Sequence, residues 1–292
     1  MNLCVFDIGG SSVKYGCYGK DGLSDVGSFK TPETFEDMKN DLHSVFLVMK
    51  DKHELSGVAF SAPGAVDSKN DIIRGLSAVP YIHGFAIRKE LEEMFQLPVS
   101  IENDANCAAL AELHEGSAKD ADHAIFMIIG SGIGGAVIVN RTLHRGRNLF
   151  GGEFGYMLLD ENHSLSSLGS PVKMAKRYAL ESGEENIEGS EVFRRADDGD
   201  KLAQAHVEKL IDAVARGIFN LTCAFNPDKI IIGGALSKRK NLIIKLKDKT
   251  EMYMRGKGAE DIDLDIVPCM FRGDANLIGA AFHFMDSRKE KE

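Results

Sequence analysis

The sequence predicts a two-lobed α/β protein built on mixed β-sheets, and three observations support this prediction. Apolar runs typical of strands alternate with helical patterns along the whole chain. Each half also opens with a predicted hairpin whose tip is rich in glycine, near residue 10 and again at residues 130–135. The 292 residues suffice for two domains, and no linker rich in proline or serine divides them, so we expect tightly joined lobes.

The first lobe is predicted to span residues 1–117. Its apolar runs, turns and helical spacing predict strands at 2–7, 13–19 and 23–29, a helix at 34–50, a strand at 57–62, a helix at 84–95, a strand at 98–102 and a helix at 105–115. The boundary follows from residues 116–120, whose Gly-Ser-Ala-Lys-Asp composition interrupts the pattern.

The second lobe is predicted to span residues 118–273 and to repeat this plan. The same signals predict strands at 123–129 and 133–139, an irregular region at 145–170, helices at 171–182 and 190–197, a long apolar helix that stops at Asn226-Pro227, and strands at 229–232 and 262–267. A last helix begins near residue 274 and contains Gly279-Ala280-Ala281. Because these small residues allow close packing, we expect the segment 274–292 to return to the first lobe.

Composition and charge narrow the class of protein. The formal net charge of −9 argues against nonspecific binding to nucleic acid or to acidic membranes. No apolar run approaches the ~20 residues needed to span a bilayer, and the N-terminal residues predict a strand and not a secretory signal. The five cysteines are scattered and mostly lie in apolar stretches, which is typical of a reducing compartment. We therefore expect a cytoplasmic protein with neither nucleic acid nor membrane as a partner.

The first glycine turn (residues 9–12) has the composition of a phosphate site. Glycines leave backbone N–H groups open to an anion, and small hydroxyls add donors. The residues that supply them are Gly9, Gly10, Ser11 and Ser12. Asp7, just before the turn, either shapes it or holds Mg²⁺ through water. Lys14, just after it, is either an exposed strand lysine or a cation beside the phosphates.

The second glycine turn (residues 130–135) repeats these features in the other half of the chain. Its members are Gly130, Ser131, Gly132, Ile133, Gly134 and Gly135. No Lys-Ser/Thr pair follows, which excludes a Walker loop, and a strand follows instead of a helix, which excludes a Rossmann fingerprint. Two such turns in successive halves predict two lobes that close on one polyphosphate. A further pair, Gly233-Gly234, ends a strand and would let the backbone approach a nucleoside.

Asp104 is the acid with the strongest claim to a chemical role. It follows Asn103 where a strand gives way to a helix, and both residue types are preferred helix caps, so capping alone could explain the pair. Three capping-type residues among positions 103–106 exceed the need of one cap, however, and open α/β sheets bind ligands at the carboxyl ends of their strands. A carboxylate there can accept the proton of a hydroxyl that attacks phosphorus.

Glu153 lies between glycines in the segment 151–156, and two explanations stay open for it. The segment is either an irregular loop with glycines for conformational reasons, or a loop whose carboxylate accepts hydrogen bonds from vicinal sugar hydroxyls. The histidines show no metal-ligand spacing, and His83 is interpreted as a surface or loop residue.

In their order along the chain, these motifs resemble the ROK family of sugar kinases. The matching segments are Asp7-Ile8-Gly9-Gly10-Ser11 with Lys14, Ala62-Pro63-Gly64, Asn103-Asp104-Ala105-Asn106, residues 130–135 and Gly152-Glu153-Phe154-Gly155. The resemblance runs from residue 3 to roughly residue 284, and the ordered set is far more specific than any single motif. It implies an actin-like, ribonuclease-H-like ATPase fold with a cleft between the lobes. It also implies ATP-dependent phosphorylation of a sugar, usually at the 6-hydroxyl, with ATP and Mg²⁺ as cofactors.

The resemblance also implies roles for individual residues. Asp104 is similar to the general base of the family, and the substrate positions correspond to Gly64, Asn103, Asp104, Glu153 and Tyr156. The two glycine turns resemble the phosphate-binding hairpins, and Gly233-Gly234 resembles part of the adenosine site. Homodimers are common among such enzymes, although no interface is visible in the sequence.

The chain departs from the usual family pattern in two places. Tyr156 stands where the family commonly has a histidine, and the stretch 163–170 has no cysteine where the family commonly has a zinc segment. We therefore expect no structural zinc. In this respect the chain resembles bacterial β-glucoside kinases, which phosphorylate the 6-hydroxyl of the non-reducing glucose in sugars such as cellobiose. Our hypothesis is that loss of a ligand near the anomeric carbon opens the pocket to an aglycone.

Two alternatives to a β-glucoside kinase follow from the same resemblance. One is a kinase of a free sugar such as glucose, fructose or N-acetylmannosamine. The other is a sugar-responsive regulator, either a repressor with an N-terminal DNA-binding domain or a sensor without activity. Two observations argue against a repressor: the first glycine turn begins within ten residues of the first residue, and the net charge is negative. Asp104 and both glycine turns are intact, which argues against an inactive sensor.

Overall fold

The computed structural model describes residues 1–271 and 273–289. The chain divides into two compact units. Unit 1 comprises Met1–Gly116, Arg147–Phe150 and Phe271–Glu292, and unit 2 comprises Ser117–Gly146 and Gly151–Met270. Each unit contains one five-stranded sheet with helices packed against it, so the predicted α/β class is confirmed.

The strands are β1 (Asn2–Ile8), β2 (Ser12–Gly19), β3 (Gly22–Lys30), β4 (Leu55–Ala62), β5 (Ala65–Asp67), β6 (Ile72–Arg74), β7 (Val99–Asn103), β8 (Ala124–Ile129), β9 (Ile133–Val139), β10 (Thr142–Leu143), β11 (Lys229–Gly234) and β12 (Asp265–Pro268). The helices are α1 (Phe35–Lys52), α2 (Ile87–Phe95), α3 (Asp104–His114), α4 (Leu165–Gly169), α5 (Pro171–Ser182), α6 (Gly189–Asp197), α7 (Lys201–Phe225), α8 (Lys240–Arg255) and α9 (Ala275–Lys289). Short 3-10 turns cover Pro80–Ile82, Phe154–Tyr156 and Ala235–Lys238.

The sheet of unit 1 has the strand order β3-β2-β1-β4-β7. The first three strands are antiparallel neighbours, while β1, β4 and β7 run parallel. Their apolar runs are continuous because helices cover both faces of a parallel sheet. Phe6 of β1 and Phe60 of β4 stack at 5.1 Å between ring centroids in this core.

Helix α9 belongs to unit 1 and packs against α3 and the parallel strands. Its close approach to α3 depends on Gly279, because a Cβ atom at that position would overlap the carbonyl oxygen of Cys107. The two helices therefore touch backbone to backbone, as the small residues of this segment predict.

The sheet of unit 2 has the order β10-β9-β8-β11-β12, with β8, β11 and β12 parallel. The long helix α7 is preceded by its N-cap Asp200, whose side chain accepts a hydrogen bond from Ala203 N at 3.0 Å. It is followed by its C-cap Asn226, which adopts the left-handed conformation (φ 43°) just before Pro227. Both ends are therefore determined by local sequence.

The sequence prediction missed the hairpin β5–β6 and helices α4 and α8. The hairpin is too short for periodicity to show, and Asp67 holds it by accepting hydrogen bonds from Asn70 and Arg74. Helix α8 is rich in lysine, which obscures its narrow apolar face, although Leu242 and Leu246 are buried one turn apart. Among the described residues, no helix combines the length and apolar character needed to cross a bilayer.

Candidate functional site

In unit 1, the carboxyl ends of three parallel strands bring polar side chains to one edge of the sheet. The register pairs Asp7 with Ser61 and Ser61 with Glu102, and Ala62 pairs with Asn103. Asp104 follows directly as the first residue of α3. We refer to Asp7, Asn103 and Asp104 as the acidic corner.

The carboxylate of Asp7 is held in a defined orientation. Its Oδ1 atom accepts a hydrogen bond from Ser61 Oγ at 2.8 Å and another from Asn276 Nδ2 at 3.0 Å. Lys14 lies opposite Asp7 in the β1–β2 register, and its ammonium donates to Gly273 O at 2.7 Å. The first glycine turn is thus flanked by an oriented carboxylate and an anchored cation.

Asn103, and not Asp104, is the N-cap of α3. Its Oδ1 accepts hydrogen bonds from Ala105 N at 3.0 Å and Asn106 N at 3.2 Å. Its amide nitrogen donates to Gly64 O and to Asp104 Oδ1, each at 3.0 Å. The capping explanation therefore applies to Asn103, and the same residue joins Asp104 to the Gly64 loop.

Burial raises the pKa of Asp104, and the nearby charge of Asp7 raises it further. The backbone N–H of Ala105, which donates to Asp104 Oδ1 at 2.8 Å, acts in the opposite direction without outweighing burial. A carboxylate with a raised pKa binds a proton more readily than an ordinary aspartate. This property suits a group that accepts a proton from a hydroxyl.

Glu102 is a further acid at this edge, which the sequence analysis did not single out. It is 2% exposed, and its Oε1 accepts hydrogen bonds from Asn103 N at 2.8 Å and Asn106 Nδ2 at 2.9 Å. His283 of α9 lies with Nδ1 at 3.8 Å from Glu102 Oε2. The signal in the sequence that could have identified Glu102 is an acidic residue near the end of an otherwise apolar strand. Its hydrogen bonds to Asn103 N and Asn106 Nδ2 indicate that it helps to hold the start of α3 beside the acidic corner.

The first glycine turn is closed by local hydrogen bonds. Gly9 N donates to Ser12 O at 3.1 Å, and Thr31 Oγ1 donates to Gly9 O at 2.6 Å. Gly10 and Ser11 are exposed at the tip. A Cβ atom at Gly10 would lie 2.6 Å from the Cβ of Ala78, so this position has no space for a side chain.

In unit 2, the second glycine turn joins β8 to β9, and Ile129 pairs with Ile133 across it. Gly130 N donates to Gly132 O at 2.9 Å within the turn. An added Cβ at Gly134 would meet no heavy atom within 4 Å, whereas one at Gly135 would overlap the carbonyl oxygen of Phe126. The predicted hairpin is therefore present. The space beside Gly134 is open, whereas Gly135 is packed against β8.

Gly233-Gly234 lies at the same edge of this sheet. The parallel register of β8 and β11 pairs Gly234 with Ile129, the residue just before the second glycine turn. Downstream of this pair is a cavity of about 410 Å³. It is lined by Phe193, Asp197, Val207, Ile211, Lys238, Arg239, Asn241, Leu242 and Lys245. Arg239 stacks over the Phe193 ring at 4.6 Å and pairs with Asp197.

Glu153 and Tyr156 lie on the loop that follows β10 in unit 2. Both side chains are exposed, Tyr156 to 70%. Gly152 in this loop has φ 95°, and a Cβ there would overlap Gly135 O of β9. The loop therefore packs against the strand that leaves the second glycine turn.

Comparison with known proteins agrees with this arrangement. The model of the ROK family matches residues 3–287, which is nearly the whole chain. The chain belongs to the ROK family.

Several ROK relatives resemble the chain over their full length. It is 31% identical to a β-glucoside kinase of Listeria innocua, with all of both chains covered. It is 32% identical to a β-glucoside kinase of Klebsiella pneumoniae, covering 97% of this chain and 96% of the relative. A ROK family protein from Streptococcus pneumoniae, solved in complex with sucrose, superposes with a TM-score of 0.90 at 35% identity, covering 99% of this chain and 100% of that one. These likenesses confirm the predicted actin-like ATPase fold class.

Proposed function

We propose that this chain is an ATP-dependent sugar kinase that transfers the γ-phosphoryl group to the 6-hydroxyl of a β-glucoside such as cellobiose. The observation that carries the proposal is the state of Asp104. Asn103 and not Asp104 is the N-cap of α3, the Asp104 carboxylate is joined to Asn103 by a hydrogen bond, and the pKa of Asp104 is raised. Membership of the ROK family and the β-glucoside kinase relatives support the choice of reaction.

Asp104 is proposed to act as the general base. Its carboxylate accepts the proton of the sugar hydroxyl as the oxygen attacks the γ-phosphorus, and the bond from that phosphorus to the departing ADP oxygen breaks. Both amide hydrogens of Asn103 are engaged, with Gly64 O and Asp104 Oδ1. We propose that a sugar hydroxyl replaces Asp104 Oδ1 as the partner of Asn103, which leaves that oxygen to receive the proton.

The nucleotide is proposed to bind through backbone groups. The N–H groups of the first and second glycine turns would hold the phosphates, since both turns expose bare backbone. The nucleoside would enter the cavity beyond Gly233-Gly234, whose volume of about 410 Å³ falls within the range of small-molecule sites. Lys14 would contribute positive charge beside the first glycine turn.

Asp7 suits an indirect contact with Mg²⁺. The ion prefers oxygen ligands and commonly binds through one or two carboxylates, phosphate oxygens and water. Among the described residues no group of three or more His, Cys, Asp or Glu could hold a metal ion by itself. Asp7 Oδ1 is already occupied by two donors, so Oδ2 would face the hydrated ion. Bound Mg²⁺ supplies neutralisation of phosphate charge.

The choice of a β-glucoside over a free hexose rests on Glu153 and Tyr156. Glu153 would accept hydrogen bonds from sugar hydroxyls, and the exposed ring of Tyr156 offers an apolar surface on which an aglycone or second sugar ring can pack. A free-hexose kinase is the second candidate, and a regulator without activity the third. A homodimer stays a prediction from the family resemblance, and a cytoplasmic location stays a prediction from the composition.

The test is a coupled assay of ADP release with a panel of acceptors. Cellobiose and arbutin represent β-glucosides, and glucose, fructose and N-acetylmannosamine represent free sugars. We expect kcat/KM to be at least about tenfold higher for the β-glucosides, a difference of ~1.4 kcal/mol in transition-state binding. Nuclear magnetic resonance of the product would locate the phosphate. Preference for a free sugar would favour the free-hexose kinase. If none of the sugars caused ADP release, the kinase proposal would be refuted.

A further inference from the structure

Helix α4 of unit 2 contains Ser166, and Ser170 follows its last residue; the hydroxyls of both serines bond to the second glycine turn. Ser166 Oγ accepts a hydrogen bond from Ile133 N at 2.7 Å, on the arm that leaves the turn. Ser170 Oγ lies 2.9 Å from both Gly130 O and Ser131 O, so its single hydrogen is shared between the carbonyls of the arm that enters. Ser170 is fully buried. We call Ser166 and Ser170 the serine pair.

The carbonyl contacts of Ser170 determine where the neighbouring N–H groups point. In a trans peptide the C=O and the following N–H point in opposite directions within one plane. Because Gly130 O and Ser131 O both point toward the buried hydroxyl, the N–H groups of Ser131 and Gly132 point away from it. Ser131 is exposed and Gly132 is half-buried, so this direction leads toward the open side of the turn. Two successive N–H groups on one side are a typical anion-binding arrangement.

Ser166 also joins the turn to the loop that carries Glu153. A Cβ atom at Gly155 would overlap both Ser166 Oγ and Ile133 O, so glycine at this position lets three segments meet. A displacement of Ser166 would therefore disturb both the loop that carries Glu153 and the start of β9 at Ile133.

Arg177 of α5 supports α4 from its carboxyl end. Its guanidinium donates to Ser167 O and, at 3.0 Å, to Leu168 O, which are carbonyls that the short helix leaves unpaired. Burial lowers the pKa of Arg177, and its Nε is buried with no partner among the described residues. The Arg177 guanidinium is therefore held where burial disfavours its charge. Its hydrogen bonds there stabilise the position of α4 and of the serine pair.

We propose that Ser166 and Ser170 are positioning residues that aim the backbone N–H groups of the second glycine turn at nucleotide phosphates. The identity of the ligand rests on the proposed kinase function, while the hydrogen bonds that orient the turn do not. The stretch 163–170, which has no cysteine, in this way orients the turn through hydroxyl groups alone.

The experiment measures binding of ADP by calorimetry to the full chain and its variants. Ser170 is also the N-cap of α5, where its Oγ accepts a hydrogen bond from Lys173 N at 3.4 Å. Ser170→Ala removes the donor to the turn, and Ser170→Gly does the same with a residue that is better tolerated at an N-cap. Ser166→Ala removes the acceptor of Ile133 N. We expect the Kd for ADP to rise about tenfold in each, the effect of one hydrogen bond that no longer orients the site. We expect KM for the sugar to change by less than about twofold in the Ser170 variants, since the partners of Ser170 Oγ are the second glycine turn and Lys173 N of α5.

Ser167→Ala in α4 and Ser164→Ala at its N-cap are matched controls. Ser167 N donates to Ser164 Oγ at 3.2 Å and Ser167 Oγ donates to Ser164 O at 2.8 Å, so these hydroxyls bond only within the first turn of α4. We expect both controls to bind ADP within about twofold of wild type. Thermal melting would show that each variant is folded.

Three results would overturn the inference. These are unchanged ADP affinity in folded Ser170 variants, an equal loss in the Ser167 control, and failure of the wild type to bind ADP. Failure of the proposed function has a different signature, because a wild type that binds ADP but phosphorylates no sugar would refute the kinase. In that case the ADP affinities of the Ser166 and Ser170 variants would still test the positioning role of the serine pair.

Discussion

Asp7 and Asn276 are 269 residues apart in the chain, yet Asn276 Nδ2 donates a hydrogen bond of 3.0 Å to Asp7 Oδ1. Ser61 donates to the same oxygen at 2.8 Å from the neighbouring strand. Asn276 of α9 and Ser61 of β4 together orient the Asp7 carboxylate. Both hydrogen bonds are made to Oδ1 and not to Oδ2. Helix α9 therefore contributes directly to the orientation of the carboxylate that precedes the first glycine turn.

Replacement of Asn276 by leucine should disturb Asp7 while keeping a side chain of similar volume. Loss of one of two donors should raise the Mg²⁺ concentration for half-maximal activity roughly three- to tenfold, the effect of a hydrogen bond of about 0.5–1.5 kcal/mol. Titration of activity with Mg²⁺ at saturating sugar would measure it. Ser61→Ala, which removes the other donor, should have a similar effect. An unchanged Mg²⁺ requirement in both variants would contradict this role of Asp7.

Replacement of Asp104 by asparagine should remove the proposed general base and leave the hydrogen bond with Ala105 N available to the amide oxygen. We expect kcat to fall about 10²–10⁴-fold, the range typical of general-base catalysis, while the Kd for ADP stays near that of wild type. Steady-state kinetics and calorimetry would measure the two quantities. Asp67→Asn is a control, since Asp67 lies on the hairpin β5–β6 outside the acidic corner. Near-normal turnover would exclude Asp104 as the base.

The raised pKa of Asp104 should appear in the pH dependence of activity. The base works when ionised, so kcat/KM should rise with pH through a value above the ordinary aspartate pKa of about 3.9. A profile recorded with a buffer series of constant ionic strength would measure the acidic limb. An acidic limb at or below the ordinary value would contradict the effect of burial.

The same pKa shift predicts the sign of a stability change. Between the ordinary and the raised pKa the folded state binds more protons at Asp104 than the unfolded state does, so this residue lowers the free energy of unfolding as pH rises. Asp104→Asn should therefore stabilise the protein at neutral pH and have no such effect below the ordinary aspartate pKa. Urea denaturation at pH 7 and at acidic pH would test it. Destabilisation at neutral pH would contradict the sign.

Two adjacent glycines of the second glycine turn should respond differently to alanine. Gly135→Ala would force a Cβ into Phe126 O and should cost about 1–3 kcal/mol of unfolding free energy, as overpacking does. Gly134→Ala enters open space and should change the free energy of unfolding by less than about 0.5 kcal/mol. Denaturant unfolding of the two variants would measure the difference. Equal stability of the pair would show that β9 can shift to admit the side chain.

Much of the fold could be predicted because its signals are local. In α1, Met38, Leu42, Phe46 and Met49 recur at helical spacing and all are buried. The hairpin around the first glycine turn follows from two apolar runs and a glycine pair, and the structure pairs Ile8 with Val13 across it. Helix α4 was not predicted, because its five residues are too few for periodicity and its support comes from Arg177 of the next helix.

The sequence by itself determined the chemical inventory of the site and the strand ends that carry it. Glycine turns, Asp7, Asn103 and Asp104 could be assigned to the ends of strands because each strand is a short apolar run with a visible stop. Only the tertiary structure decided which of Asn103 and Asp104 caps α3, and which distant residues orient the site. Asn276 reaches Asp7, and Ser170 reaches Gly130, only because the chain packs α9 and α4 at those places. Periodicity reports the buried face of one element, whereas a hydrogen bond between distant residues depends on the packing of several elements together.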